Sequence, residues 1–228
     1  MEVLARFGSS EQREHWLRPL LDGRAKSCFA MTENQVSSSD PTQLQATATK
    51  SRDGTWTLAG HKWWTTGATH PDCDLCIFVA CTGEDSLGCG GSSREASRRA
   101  AIQSESKSFK RKSTPRYDQH SLFVLSIHNP GVQVVRPLSV FGYDDAPSGH
   151  AEVKFDDVCV EPGALLGRVG QGFAYAQSRL GPGRLHHCAR LVGHATRALA
   201  LIEERGEARQ AFGRALLDLG GNRERFAR

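Results

Sequence analysis

From Cys28 to about Val160 the chain breaks into short apolar or alternating runs separated by turn signals, and it is helical in pattern on either side. That order, helix then many short strands then helices, restricts the fold more than any other feature of the sequence. The runs Cys28–Thr32, Leu44–Lys50, Trp56–Trp64, Leu75–Cys81, Ser121–Ser126, Val132–Val135 and Glu152–Phe155 read as strands. Asp53-Gly54 marks a hairpin between the second and third, and Asn129-Pro130-Gly131 marks another turn. So many short strands between turns imply a compact sandwich or barrel within an α+β chain.

Before this segment, Ser9 to Leu21 predicts a helix. Ser9 and Gln12 have capping-box spacing, Trp16, Leu17, Leu20 and Leu21 give an apolar face, and Pro19 and Gly23 limit its length. Met1-Glu2-Val3-Leu4-Ala5 reads as the inside of a helix, so a portion upstream is expected. After Gly163 the pattern predicts a helix over Phe173 to Arg179, a break at Gly181-Pro182-Gly183, a long helix from Arg184 to Arg205 and a third starting near Glu207. The expected domains are 1–27, a helical remnant; 28–162, the β domain; and 163–228, the start of a second helical domain with a divergent tail over 218–228.

Thr82 to Asp118 departs from the pattern. It is rich in Ser, Gly, Arg and Lys and predicts a disordered insertion between two strands. The formal net charge of +4 is concentrated there. Between residues 94 and 116, Arg94, Arg98, Arg99, Lys107, Lys110, Arg111, Lys112 and Arg116 are balanced only by Glu95 and Glu105, and the remainder of the chain is net acidic. With only Phe109 and Tyr117 interleaved, a nucleic-acid partner is not expected. No apolar run reaches the length of a membrane span, and no signal peptide is visible. The odd cysteine count argues for reduced thiols. Cys73-x-x-Cys76 has no second pair at ligand spacing, so no metal is expected. His186-His187 point apart on a helix. There is no G-x-G-x-x-G after a strand, no Walker sequence and no G-x-S-x-G.

Four ordered segments carry a family likeness. They are Phe29-Ala30-Met31-Thr32-Glu33 with Ser37-Ser38-Ser39-Asp40; Gly60-His61-Lys62-Trp63-Trp64-Thr65-Thr66-Gly67; Gly181-Pro182-Gly183-Arg184-Leu185-His186-His187-Cys188; and Arg209-Gln210-Ala211-Phe212-Gly213. Together they resemble the acyl-CoA dehydrogenase family, in the branch of members ten and eleven. Asp145-Ala146-Pro147-Ser148-Gly149-His150 is most similar to member ten. The resemblance implies FAD as cofactor, an acyl-CoA thioester as substrate, a homo-oligomer and a place in mitochondrial fatty acid β-oxidation.

The resemblance also implies roles for single residues. The strand through Phe29, Met31 and Thr32 would lie along the flavin, with backbone groups and the Thr32 hydroxyl at its pyrimidine end, where donors favour the reduced ring. Ser38 or Ser39 would meet the FAD diphosphate or the acyl-CoA entrance. Trp64 would stack on the isoalloxazine, and Thr66 would hydrogen-bond near N5, which accepts hydride. Arg209 would pair with the diphosphate of a neighbouring subunit's FAD, with Phe212 beside it. Arg184 would lie near substrate. Dehydrogenation also needs a carboxylate base. Most of the family carries it beyond the point where this resemblance stops, near Leu217. Some members carry it where this chain has Gly183, so no catalytic residue is assigned. A shortened chain with little turnover is the expectation, and a non-catalytic flavin-binding or partner-binding fragment is the alternative.

Overall fold

The computed structural model describes residues 1–82 and 116–227. Among them two units separate, Met1–Gln177 and Ser178–Arg228.

The first unit is built on a mixed sheet of eight strands. In chain order they are β1 (Lys26–Ala30), β2 (Thr47–Lys50), β3 (Trp56–Thr66), β4 (Cys73–Cys81), β5 (His120–Ser126), β6 (Val132–Pro137), β7 (His150–Val160) and β8 (Leu165–Leu166). The spatial order is β6-β7-β3-β2-β4-β5-β8, with β1 added in parallel to β4. The α+β class expected from the sequence is the one observed. Asp53-Gly54 turns β2 into β3, with Gly54 at a φ of 93°, and the two strands pair antiparallel.

Two apolar clusters fill this unit. Trp56, Phe78, Phe123 and Phe155 dominate one, and Trp56 meets Phe123 edge-on at 5.2 Å. Leu75, Ile77, Val79, Leu122 and Val124 form the other, roofed by Trp16, Leu17 and Leu20 from the N-terminal helical segment. The central strand β4 is buried on both faces and is accordingly a near-continuous apolar run. Cys28, Cys73 and Cys76 lie inside. A hydrogen bond to Cys28 and burial push the Cys73 thiol above its ordinary range, which leaves it protonated and unsuited to ligation or attack.

The N-terminal segment consists of α1 (Glu2–Phe7), α2 (Ser10–Gln12), a π turn over Arg13–Leu17 and α3 (Arg18–Leu21). Both bonds of the capping box form: the Gln12 amide N–H donates to Ser9 Oγ, and the Ser9 N–H donates to Gln12 Oε1, each at 3.1 Å. The same Gln12 side chain donates to the carbonyls of Gly163 and Leu165, tying the segment to the β domain.

Residues 83–115, most of the expected insertion, lie outside the described residues. At its edges, the Thr82 N–H donates to the Gln119 carbonyl at 2.7 Å, and Arg116–Gln119 form a 3-10 turn in which Tyr117 packs on Phe173.

Two helical expectations are corrected. The sequence predicts a break at Gly181-Pro182-Gly183, yet one helix, α4, runs from Gly172 to Ala208 with Pro182 inside it. A single interior proline costs about 3 kcal/mol, and a helix propagating far on both sides can carry that loss. The third helix expected near Glu207 is absent. α4 ends there, and a hairpin of β9 (Gln210–Ala211) and β10 (Arg214–Ala215) follows, then α5 (Gly220–Ala227). Phe212 and Gly213 form its two-residue turn, both at positive φ as a type I′ turn requires.

Within the first unit, the segment after β1 is bound to β3 by a buried ion pair. Lys62 Nζ lies 2.7 Å from Glu33 Oε1, and both side chains are sealed from solvent. Lys62 also donates to the Met31 carbonyl, and Glu33 accepts from the backbone N–H groups of Gln45 and Ala46. Burial pushes the Lys62 amine below its usual range, and the facing carboxylate opposes that shift. Removing one partner strands the other charge in the interior. Lys62→Met is therefore expected to lower the unfolding free energy by about 3–5 kcal/mol in urea denaturation; a loss under about 1 kcal/mol would show that the pair does not secure the loop.

Candidate functional site

β3 holds the outward-facing residues by means of a bulge. Up to Lys62 the even-numbered positions Trp56, Leu58 and Lys62 point inward. Between Lys62 and Thr65 the register with β7 shifts, so that Trp63 and Trp64 together oppose Glu152 alone. One extra residue inverts the alternation for everything that follows. Thr65 becomes buried, whereas Trp64 and Thr66, which an unbroken strand would aim into the core, turn out to solvent. Trp64 itself is the bulged residue in left-handed conformation, at a φ of 50°. That costs an L-residue about 1–2 kcal/mol, and its indole remains 40% exposed.

The site residues named from the sequence gather partly around this bulge. The Trp63 N–H donates to the Thr32 carbonyl at 3.0 Å, and Glu33 forms a β-bridge with Lys62, so the end of the first segment runs beside the bulge. Phe29 and Met31 turn toward the apolar cluster beneath. The two serines separate. Ser38 Oγ accepts from the Glu33 N–H and donates to the Glu33 carbonyl, closing the loop on itself, while Ser39 is exposed and meets Ser37. In the second unit, Arg184 is exposed on α4 and Arg209 is exposed directly before the hairpin. Phe212, at the hairpin tip, is 92% exposed with a φ of 54°. Trp64 and Phe212 therefore share one device, an aromatic ring presented to solvent from a strained left-handed residue. Such strain collects at functional sites.

Sequence reasoning gave no role to three side chains that organise the site. Lys62 and Glu33 anchor it from within. His150, on β7, faces Thr66 across the ladder: its Nδ1 lies 2.8 Å from Thr66 Oγ1, and its ring meets the Trp64 indole edge-on at 5.8 Å. A strand 84 positions away in sequence supplies it, so no local pattern could reveal the pairing. Phe141, 98% exposed, repeats the Phe212 arrangement in a second tight turn with Gly142.

On the outer face His61 joins a further network. Its Nε2 lies 2.6 Å from Glu152 Oε1, its Nδ1 lies 3.0 Å from Gln35, and Arg136 Nε donates to the other Glu152 oxygen at 2.7 Å. Adjacent residues of β3 thus hold the 33–46 loop from both sides, Lys62 beneath and His61 above. Cavities flank the strand. One of about 300 Å³ borders Thr66, with Ser27, His70 and Ser148 on its walls; another of about 900 Å³ borders Gln35, His61 and Lys154.

An exposed indole, a threonine hydroxyl and an imidazole on one side, with strand backbone alongside, form a donor set and platform that suit a planar heteroaromatic ring. The residues present fit a flavin in that respect. Among the described residues no group of His, Cys, Asp and Glu is arranged to hold a metal, and no helix is long and apolar enough to cross a membrane.

The chain is similar to known proteins over most of its length. The profile of the acyl-CoA dehydrogenase middle domain matches residues 28–94, and that of the acyl-CoA dehydrogenase C-terminal domain matches residues 170–228. Acyl-CoA dehydrogenase family member 10 of Mus musculus is 44% identical over 220 residues, covering 96% of this chain and 18% of its own length. A solved structure assigned to the acyl-CoA dehydrogenases, from Mycobacterium abscessus, superposes with a TM-score of 0.78 at 42% identity, covering 99% of this chain and 48% of the other. The FAD complex of PigA superposes with a TM-score of 0.76 at 25% identity, covering 99% of this chain and 50% of the other. The chain thus spans about half of these solved proteins and less than a fifth of that curated relative.

Two outcomes follow from the geometry. Trp64→Gly removes the backbone strain together with a partly exposed ring, two effects that oppose each other, so its unfolding free energy should stay within about 1 kcal/mol of the parent; a loss above about 2 kcal/mol would make the indole chiefly a packing element. For Glu152, burial alone would raise the carboxyl, but hydrogen bonds from His61 and Arg136 outweigh it and hold the group below its ordinary value of 4.5. The stability it contributes is full above pH 4.5 and is lost as pH falls from there through the lowered folded value. Urea midpoints taken across that range should fall less steeply for Glu152→Gln than for the parent, and parallel curves would remove Glu152 from the acid response.

Proposed function

Because the chain belongs to the acyl-CoA dehydrogenase family, we propose that it binds FAD and carries the flavin-facing part of an enzyme that oxidises an acyl-CoA thioester to a 2-enoyl-CoA. The observation that carries this reading is the exposed Trp64 ring, held in a strained bulge beside the Thr66 hydroxyl and the Thr32 backbone.

When bound, the flavin supplies the acceptor for the β hydride. Trp64 stacks on its ring system and excludes water from that side. Thr66 and Thr32, with the neighbouring backbone, hydrogen-bond its edge and orient it. Ser39, which is exposed, and not Ser38, whose hydroxyl is taken up by Glu33, would meet phosphate or the acyl-CoA entrance. Arg209 offers a fixed guanidinium fork to the diphosphate of an FAD held by a neighbouring subunit, with Phe212 as its apolar companion, and Arg184 serves the thioester substrate. Mitochondrial β-oxidation and a homo-oligomer are the setting this reading implies. Position 183, where some of the family carry the base, is glycine and has no carboxylate for the α proton; no base is assigned in this chain, and slow turnover is part of the proposal.

A second reading, a non-catalytic partner-binding role, is favoured by the second unit. There Leu185, Leu191, Val192, Leu199 and Ile202 are all strongly exposed, more apolar surface than an isolated helix ordinarily leaves in water.

The test is a visible spectrum of the purified chain after incubation with FAD and desalting. Retained flavin absorbance is expected, and Trp64→Ala should weaken retention roughly 2- to 10-fold, the value of an aromatic stack. Parent protein that emerges colourless would refute the flavin reading. With retained flavin, a dye-linked assay over a range of acyl-CoAs separates the two readings. Turnover at least roughly 100-fold below a family member that carries the carboxylate base fits the lack of an assigned base, and comparable turnover would overturn that part.

A further inference from the structure

We propose that His150 is a positioning residue for Thr66: the proton on its Nδ1 decides whether the Thr66 hydroxyl presents a hydrogen or a lone pair to the flavin. The inference rests on the flavin reading above and concerns a residue to which that reading gives no part.

The geometry is specific. Thr66 and His150 are directly opposed in the β3–β7 ladder, and Nδ1 sits 2.8 Å from Oγ1. The imidazole cannot drift freely. Its backbone carbonyl accepts from the Leu138 N–H at 2.7 Å, and its ring lies edge-on to Trp64. A threonine hydroxyl has one proton to give. When Nδ1 is bare, that proton goes to His150, and an oxygen lone pair faces outward. When Nδ1 carries hydrogen, it donates to Oγ1, and the hydroxyl proton is released outward.

A flavin makes opposite demands in its two states. The oxidised ring accepts a hydrogen bond at N5, and the reduced ring, having gained the hydride there, donates one. Nδ1–H therefore matches the oxidised ring and bare Nδ1 the reduced ring. Any such match couples flavin reduction to the proton affinity of His150, with the proton exchanged with solvent and the electron pair supplied by the substrate or an added reductant.

The charged and titratable surroundings are few. Asp145 is 3.8 Å from His150 Nε2, and Asp144 lies by Gly149 at the start of the strand. Lys26 and His70 line the cavity beside Thr66, and His70 is itself 3.8 Å from Asp72. Glu152, two residues along β7, is occupied by His61 and Arg136. Asp145 is the group placed to bias the tautomer, since a carboxylate near Nε2 favours hydrogen on that nitrogen.

Two measurements test this. In the flavin-free chain, imidazole nitrogen shifts, with the His150 signal assigned by its loss in His150→Asn, should move when Thr66→Val removes the partner hydroxyl. In the FAD-loaded chain, the midpoint potential followed against pH by dithionite titration should show an inflection that depends on the imidazole. His150→Asn, which keeps a hydrogen-bonding side chain but does not titrate, should lose it. An inflection that persists in His150→Asn, or is missing from the parent, overturns the coupling. His150 shifts indifferent to Thr66→Val overturn the pairing itself. A parent chain that takes up no flavin overturns the underlying reading and this inference with it, an outcome distinct from bound flavin with a featureless pH profile.

Discussion

A lysine ammonium and a glutamate carboxylate with no access to water lie at the centre of this fold. Lys62 sits on β3 and Glu33 on the segment that leaves β1. In a medium of low polarizability neither charge is tolerable without the other, so the two chain segments must meet here and in this register. Glu33 extends the constraint by accepting the N–H groups of Gln45 and Ala46, which brings the loop back to the sheet where β2 begins. Gly60 permits that approach: a side chain at this position would put its Cβ 2.6 Å from Cβ of Ala46.

The outward side of the same strand depends on that anchor. With Lys62 fixed pointing inward, the bulge immediately after it can turn Trp64 and Thr66 outward, and β7 can bring His150 to meet them. His61, the residue before Lys62, clamps the loop from the solvent side through Gln35 and Glu152. Anchoring and exposed residues are therefore interleaved along one strand. Alternate positions hold the interior, and a single inserted residue transfers two side chains from the buried face to the solvent-facing one. The left-handed backbone of Trp64 is the energetic cost of that transfer.

Parts of this were legible in advance. The strands could be read because half-buried strands alternate and because Asp53-Gly54 and Asn129-Pro130-Gly131 have few other uses. The capping box of Ser9 and Gln12 is local in the chain and formed as read. Where the sequence misled, a local rule met a longer-range one. Gly181-Pro182-Gly183 reads as a break by residue preference, but helix cooperativity carries α4 through it. The region after Glu207 reads as helical, but Phe212-Gly213 closes a hairpin in which a bulky residue accepts positive φ, a choice that residue preference disfavours.

Sequence by itself determined the class of the fold and the succession of its longer strands, and four spaced segments carried the resemblance to the acyl-CoA dehydrogenase family. The class and the strands follow from periodicity and local turn chemistry, which act over a few residues; the family rests on the likeness of whole motifs. Tertiary structure alone decided which face each residue occupies and who its partners are. The inversion at Trp64 exists only because β7 offers one residue against two. The Thr66–His150 contact and the Glu33–Lys62 pair join positions far apart in the chain, and cross-strand register is set by packing over the whole sheet rather than by any segment of it.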